Sequence, residues 1–257
     1  MERIKEYDEF IQDVIRNIPE VINKIEIVDI IQKTGKRDLV TDVDKGIEEY
    51  LTSKILERFP DHEILGEETY EIDKNYNTNN LWVIDPIDGT TNFVKQRNDF
   101  CTIVSYFENG EPMLTYIYEV TKDDLYHGMA GEGIFLNGVK LEKPKNLSIE
   151  DTLVSTDIRR MYLHKPDLFN KIVEKSFGTR SVGTCGLEGS RVVSSRLGAY
   201  INYRGGPWDY SPFFLFAKEM DLVFKTLDGE DLEINSGYTN FILSSKQIYK
   251  ELLEENK

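Results

Sequence analysis

The sequence predicts a chain of mixed α and β structure. Three observations carry this. A helical stripe of apolar residues opens the chain, β-rich runs punctuated by glycine fill its centre, and strand-like and helix-like stretches alternate after about residue 150. The 257 residues suffice for one large domain or two modest ones, and 40% of them are hydrophobic, enough for a sizeable core.

The elements follow in order. Ile4, Tyr7, Ile11, Val14, Ile15, Ile18, Val21, Ile22 and Ile25 recur at helical spacing, with Pro19 as a kink. A second helix spans about 42 to 59, with the stripe Val43, Ile47, Tyr50 or Leu51, Ile55 and Phe59, an N-cap at Thr41 or Asp42, and Pro60 and Asp61 as its stop. "EILGEE" reads as a short strand, and "LWVI" as a strand leading into the acidic turn "DPIDGTT". "FCTIVSYF" and "MLTYIYEV" form a hairpin about Asn109-Gly110, and "DLYHGMAGEGIFLNGVKL" continues the meander. The basic, proline-containing "EKPKN" marks a boundary near 145, dividing the chain into halves 1–145 and 146–257. Beyond it come a strand ("TLVSTDI"), a helix ("HKPDLFNKIVEKSF"), a strand into a glycine turn ("TRSVGTCG") and a helix stopped by Gly198 ("EGSRVVSSRLG"). A strand ("AYINYRG"), a helix ("PWDYSPFFLFAKEM"), further strands and a terminal helix complete it.

Charge and composition narrow the function. The 31 basic against 46 acidic residues give −15, a balance that suits solubility and argues against nucleic acid or an anionic membrane surface as partner. The N-terminus has no apolar signal region, no run reaches membrane-spanning length, and Cys101 and Cys185 form neither a disulfide framework nor a zinc spacing. The expectation is a cytoplasmic, reduced protein.

The acidic turn holds the most chemistry. Asp85 and Asp88 flank a proline-fixed bend, and two like charges there raise each other's pKa unless a divalent cation holds both ionised. Gly89, Thr90 and Thr91 follow, offering close backbone approach and free N–H groups to an anion. The competing interpretation is an Asx-turn with capping aspartates. Glu67 in "GEE" and Asp209 in "PWD" are candidates to converge on the same cleft; each alone also reads as an ordinary loop or helix-start charge.

Taken together, "DLVTDVDK", "GEE", "DPIDGTTNFV" and "PWD", in this order, resemble the inositol monophosphatase family of magnesium-dependent, lithium-sensitive phosphomonoesterases; "GEGIFLNG" and "RSVGTCG" are similar to family stretches too. The resemblance covers about residues 30 to 245. It implies an α+β fold, an αβαβα layered sandwich of the inositol monophosphatase / fructose-1,6-bisphosphatase type, assembled as a homodimer. It implies Mg2+, two or three ions per site, held by Glu67, Asp85, the Ile87 carbonyl, Asp88 and Asp209. Thr90 with Asp44 resembles the couple that orients the attacking water, although Asp44 also reads as a first-turn helix charge. Asp88, Gly89, Thr90, Gly183, Thr184, Cys185 and Asn202 would face the substrate.

Three departures bear on substrate. Asn202 stands where the family commonly has an acidic residue, "WDYSPFF" replaces the small residues usual after "WD", and "KQRND" follows "NFV". Arg97 or Arg204 could meet a second phosphate, or each is a surface charge. Three interpretations stay open: hydrolysis of inositol monophosphate or a related small sugar phosphate; the same chemistry on fructose 1,6-bisphosphate, a nucleotide 3′-phosphate or NADP; and non-catalytic binding of a phosphorylated ligand, which lost metal ligands would betray.

Overall fold

Alternating apolar faces sort the elements into layers. The computed structural model describes residues 2–25, 30–32 and 39–254. Helices α1 (Glu2–Arg16) and α2 (Ile18–Lys24) come first, broken at Asn17 just ahead of Pro19. Strands β1 (Ile30–Gln32) and β2 (Leu39–Thr41) pair with each other and lead into α3 (Asp42–Arg58), β3 (Glu63–Gly66), β4 (Asn80–Asp88) and the short α4 (Thr90–Gln96). The meander follows: β5 (Cys101–Glu108), β6 (Glu111–Glu119), β7 (Asp124–Met129), β8 (Gly133–Leu136) and β9 (Val139–Lys140). Asn109 and Gly110 both take positive φ in the β5–β6 hairpin, as that two-residue turn demands. The remainder runs β10 (Leu153–Thr156), α5 (Ile158–His164), α6 (Pro166–Lys175), β11 (Gly178–Arg180), α7 (Cys185–Val193), β12 (Ala199–Gly205), α8 (Pro207–Met220), β13 (Val223–Thr226), β14 (Thr239–Ser244) and α9 (Lys246–Tyr249), with a last helical turn to Glu254.

Strands β3 to β9 lie in sequence order in a seven-stranded sheet, and β11-β10-β12-β14-β13 form a five-stranded one. The outer face of the larger sheet packs Trp82, Ile84, Val104 and Tyr116 against Ile11 and Ile15 of α1 and Ile47, Leu51 and Ile55 of α3. Its inner face packs Leu81, Val83 and Ile103 against α7 and α8, whose other sides meet Tyr200, Phe241 and Leu243 of the smaller sheet. Met161 of α5 and Ile172 of α6 close the far side of that sheet. The result is the αβαβα sandwich that the resemblance implies. Helix α8, with a sheet on either side, is apolar almost all round.

Four differences from the sequence-based expectation have local causes. The residues expected as an acidic turn continue β4 as far as Asp88. Helix α5 occupies "IRRMYLH", whose charges hide its single buried residue, Met161. Helix α7 begins at Cys185, inside the predicted glycine turn, and ends at Val193, five residues before Gly198. Two unusual residues after Trp208-Asp209 serve packing: the Ser211 hydroxyl lies 2.9 Å from the Ser105 hydroxyl, and the Phe213 ring occupies the space a side chain at Gly189 would need.

Candidate active site

Side chains alternate across a strand, so residues three apart point to opposite faces. Asp85 and Asp88 escape this rule. Asp85 pairs with Ile103 and Asp88 with Cys101, three steps along β4 against two along β5. The extra residue is a β-bulge, and it puts both carboxylates on the inner face. The bulge leaves the Pro86 carbonyl outside the ladder, and the buried Thr102 hydroxyl donates to it at 2.8 Å. Across the layer, Asp209 sits in the first turn of α8, where its carboxylate accepts the Gly206 N–H at 2.7 Å. Oxygens of Asp85, Asp88 and Asp209 lie within 4.8 Å of one another.

The electrostatics of this trio are unfavourable without a counter-charge. Burial raises Asp85 well above the usual carboxylate range, and Glu67, Asp88 and Asp209 push it further. Burial and Asp209 raise Asp88 to about 7, against hydrogen bonds from the Gly186 and Cys185 N–H groups and the Cys101 thiol. Burial raises Asp209 to about 6. Asp85 Oδ1 is buried with no hydrogen-bond partner among the described residues. A divalent cation with oxygen ligands answers each of these features, since it supplies positive charge to acceptor-only groups. The donor set therefore fits Mg2+.

Beside the trio, Gly89 takes φ +92 and caps the start of α4. A Cβ there would stand 2.2 Å from the Thr184 methyl, so only glycine fits. The Thr90 hydroxyl lies 3.0 Å from Asp44 Oδ1 and 3.1 Å from the Ile87 carbonyl. With one proton and two acceptors in reach, it donates to the Asp44 carboxylate and keeps lone pairs for a water. Asp44 is completely buried at the start of α3, so it is more than an exposed first-turn charge.

Part of this set borders a cleft of about 960 Å³, while Asp44, Ile87, Gly89 and Thr90 are not in its wall. Glu67, Asp88 and Asp209 lie on one side, with Gly183, Thr184, Cys185 and Asn202 also in its wall. Asp85, 1% exposed, stands behind that surface. Asn202 is buried, and its amide lies 3.7 Å from the Cys185 sulfur. Of the two arginines singled out, Arg204 lines the cleft, whereas Arg97 lies over the Phe93 ring at 4.3 Å and is not part of the wall. Sequence reasoning missed Arg159, Arg160, His164, Tyr203 and Tyr238. The adjacent Arg159-Arg160 pair was the one available signal, and it carried no spacing that named a site.

A layered α/β sandwich that gathers carboxylates beside a hydroxyl and a glycine turn defines a metal-assisted phosphoester hydrolase. Similarity to known proteins supplies the family. Residues 4–256 match the profile of the inositol monophosphatase family, and the chain belongs to that family. It is 35% identical over 237 residues to the inositol-1-monophosphatase of Bacillus subtilis, covering 90% of this chain and 88% of that one. It is 29% identical to the fructose-1,6-bisphosphatase/inositol-1-monophosphatase of Thermotoga maritima, covering 87% and 84%. Among solved structures, an IMPase/NADP phosphatase complexed with NADP and Ca2+ superposes with TM-score 0.89 at 37% identity, covering 98% and 95%. A staphylococcal inositol monophosphatase in a lithium-soaked inhibitory complex gives TM-score 0.89 at 36% identity, covering 98% and 94%.

Proposed function

We propose that this chain is a Mg2+-dependent phosphomonoesterase that hydrolyses inositol monophosphate or a related small sugar phosphate. One observation carries the proposal: the β4 bulge, which turns two carboxylates toward a third on α8 beside the Thr90–Asp44 pair.

Glu67, Asp85, the Ile87 carbonyl, Asp88 and Asp209 would hold Mg2+, as two or three ions. When bound, the metal would neutralise phosphate charge, ease deprotonation of a water and stabilise the leaving oxygen. The protein's own groups do the rest. The Gly89 and Thr90 amides hold phosphate oxygens. Thr90 accepts a hydrogen bond from the attacking water, and Asp44 fixes the Thr90 hydroxyl that does so. Water oxygen bonds to phosphorus, the ester P–O bond breaks, and the alcohol leaves with a proton. Positioning and charge neutralisation suffice, so the reaction requires no covalent nucleophile. The halves 1–145 and 146–257 share the work: the first brings Glu67 and the β4 aspartates, the second Asp209 and most of the cleft wall. Glycine and small polar residues at 183–185, with Asn202, would face the sugar.

The same chemistry on fructose 1,6-bisphosphate, a nucleotide 3′-phosphate or NADP is the second reading, favoured by Asn202 at a position where a polyol reader would be acidic. A homodimer is our reading of assembly. The apolar side chains of Val173 and Phe177, on and just beyond α6, are exposed and would be covered by a second copy. Among the described residues no helix is long and apolar enough to cross a membrane. We read the location as cytoplasmic.

Phosphate release from a panel of phosphomonoesters, with Mg2+ and with excess chelator, tests the function. Activity should need Mg2+ and fall with lithium. Full turnover in chelator would overturn the mechanism, and silence on the whole panel would overturn the function.

A further inference from the structure

We infer that the mouth of the cleft is a second anion subsite, so that the preferred substrates carry another phosphoryl or pyrophosphoryl group besides the scissile one. This rests on the phosphomonoesterase reading above and, between its two substrate classes, favours the second over inositol monophosphate.

The first observation is a second bulge. On β12, Asn202 pairs with Phe241 and Gly205 with Thr239, three steps against two. Within it Arg204 takes φ +64, a conformation that favours glycine. Its N–H is held by the Asn240 side chain at 2.8 Å, and its guanidinium lies over the Tyr238 ring at 5.1 Å, in the cleft wall. An arginine in a bulge that re-aims it toward a cleft points to a role for its charge.

The second observation is Arg159. It stands in the first turn of α5, exposed in the same wall, with no ion-pair or hydrogen-bond partner among the described residues. Its neighbour Arg160 is committed to the Asp157 carboxylate at 3.2 Å and the Tyr203 carbonyl at 3.3 Å, which ties α5 to the β12 bulge. The ring of Tyr203 stacks on His164 at 4.7 Å, with the planes 7° apart. On a chain of net charge −15, the mouth thus offers two guanidiniums, Arg159 and Arg204, beside a flat aromatic shelf. A neutral polyol ring requires no such charge. A phosphate or pyrophosphate does, and guanidinium forks suit its oxygens.

The two sources of such a ligand are a sugar bisphosphate and a nucleotide, and both enter the test. With Mg2+ present, kcat/KM is measured for inositol 1-phosphate, fructose 1,6-bisphosphate and adenosine 3′,5′-bisphosphate. We expect at least one two-anion substrate to exceed inositol 1-phosphate, and the excess to shrink as salt rises. The excess for the sugar or for the nucleotide identifies the source. Arg204→Gly relieves the positive φ, so its melting temperature should not fall. That variant and Arg159→Ala should each lower the two-anion to one-anion ratio about tenfold, through KM. An unchanged ratio in the Arg159→Ala/Arg204→Gly double variant overturns the subsite, as does a wild type that prefers inositol 1-phosphate. Should Arg204→Gly fail to fold, Arg159→Ala alone decides by the same ratio. Absence of turnover on all three substrates removes the phosphomonoesterase reading, and this inference with it.

Discussion

The two ends of the cleft are built by the same device and carry opposite charge. At the floor, the β4 bulge turns a second carboxylate inward beside Asp85; both are buried, and Asp209 across from them is half-buried. At the mouth, the β12 bulge turns out Arg204, and its companions Arg159 and Arg160 are exposed. The difference lies in what each end does with water. The floor excludes it, so its carboxylates are pushed toward protonation, and a cation would be held strongly. The mouth is wet, so its arginines stay charged at little cost and act weakly, selectively and with strong dependence on salt. We assign chemistry to the dry end and choice of substrate to the wet one.

Asp88→Asn breaks the dry end and should have the largest effect. Turnover should fall by orders of magnitude on every substrate, since a ligand to the cations is weakened and the amide keeps an oxygen for only one of the two N–H donors, Cys185 and Gly186, which bond to different carboxylate oxygens. Steady-state kinetics on the whole panel checks this; loss on some substrates only would assign Asp88 to recognition instead. Thr90→Ala should come next, with kcat lower by ~10²–10⁴-fold and KM little changed. Asp44→Asn should match it, and the double variant should fall little further because the pair acts as a unit. Normal kcat with a lowered unfolding midpoint in Asp44→Asn would reduce Asp44 to a helix charge.

A smaller effect concerns pH. Asp88 and Asp209 are raised to about 7 and about 6, so the folded metal-free protein binds more protons than the unfolded chain between about pH 4 and 7. Stability falls with rising pH wherever the folded state binds more protons. The cluster's contribution should therefore weaken as pH climbs through that window, and Mg2+ should restore it most at the upper end. Melting temperatures in chelator and in Mg2+, with Asp88→Asn as reference, measure this; a metal-free wild type and variant with parallel pH profiles would refute it. Asn202→Glu should change the ranking of substrates, raising polyol phosphates relative to those with two anions; an unaltered ranking in the same kinetic panel would remove Asn202 from recognition. Arg97→Ala should do least, within about 0.5 kcal/mol in stability and with turnover unchanged, because Arg97 lies outside the cleft wall. A shifted substrate ranking in Arg97→Ala would extend the site beyond its described walls.

Sequence and structure agree most where a motif fixes both spacing and order. "GEE", "DPIDGTT" and "PWD" pointed to the acidic residues, and α8 runs over the residues of "PWDYSPFFLFAKEM" as expected. The geometry that unites them was not legible. A run containing Asp, Pro and Gly reads as a turn, because the same residue types that open turns also form bulges; only the pairing partner on β5 separates the two. The mouth was less legible still. Helix α5 buries one residue of seven, so its pattern gives no apolar period, and Arg159 and Arg160 read as surface charge. Arg97 and Arg204 were indistinguishable in sequence. What separates them is a bulge on β12 and a neighbouring ring, Phe93 in one case and Tyr238 in the other.

The β4 bulge also makes the site depend on a count shared by two strands. Between its aspartates β4 takes three steps while β5, from Cys101 to Ile103, takes two. Deleting Pro86 would let the ladder close evenly at two against two, and the carboxylates would still share a face. Inserting one residue beside Thr102 would make it three against three. The bulge would flatten, and one carboxylate would swing outward toward α3 with every ligand still encoded. That insertion would fall in a strand that supplies no ligand side chain at all. A search for the acidic motifs alone would therefore pass an inactive chain as intact. In this fold the parity between neighbouring strands is itself inherited information, and no single residue spells it.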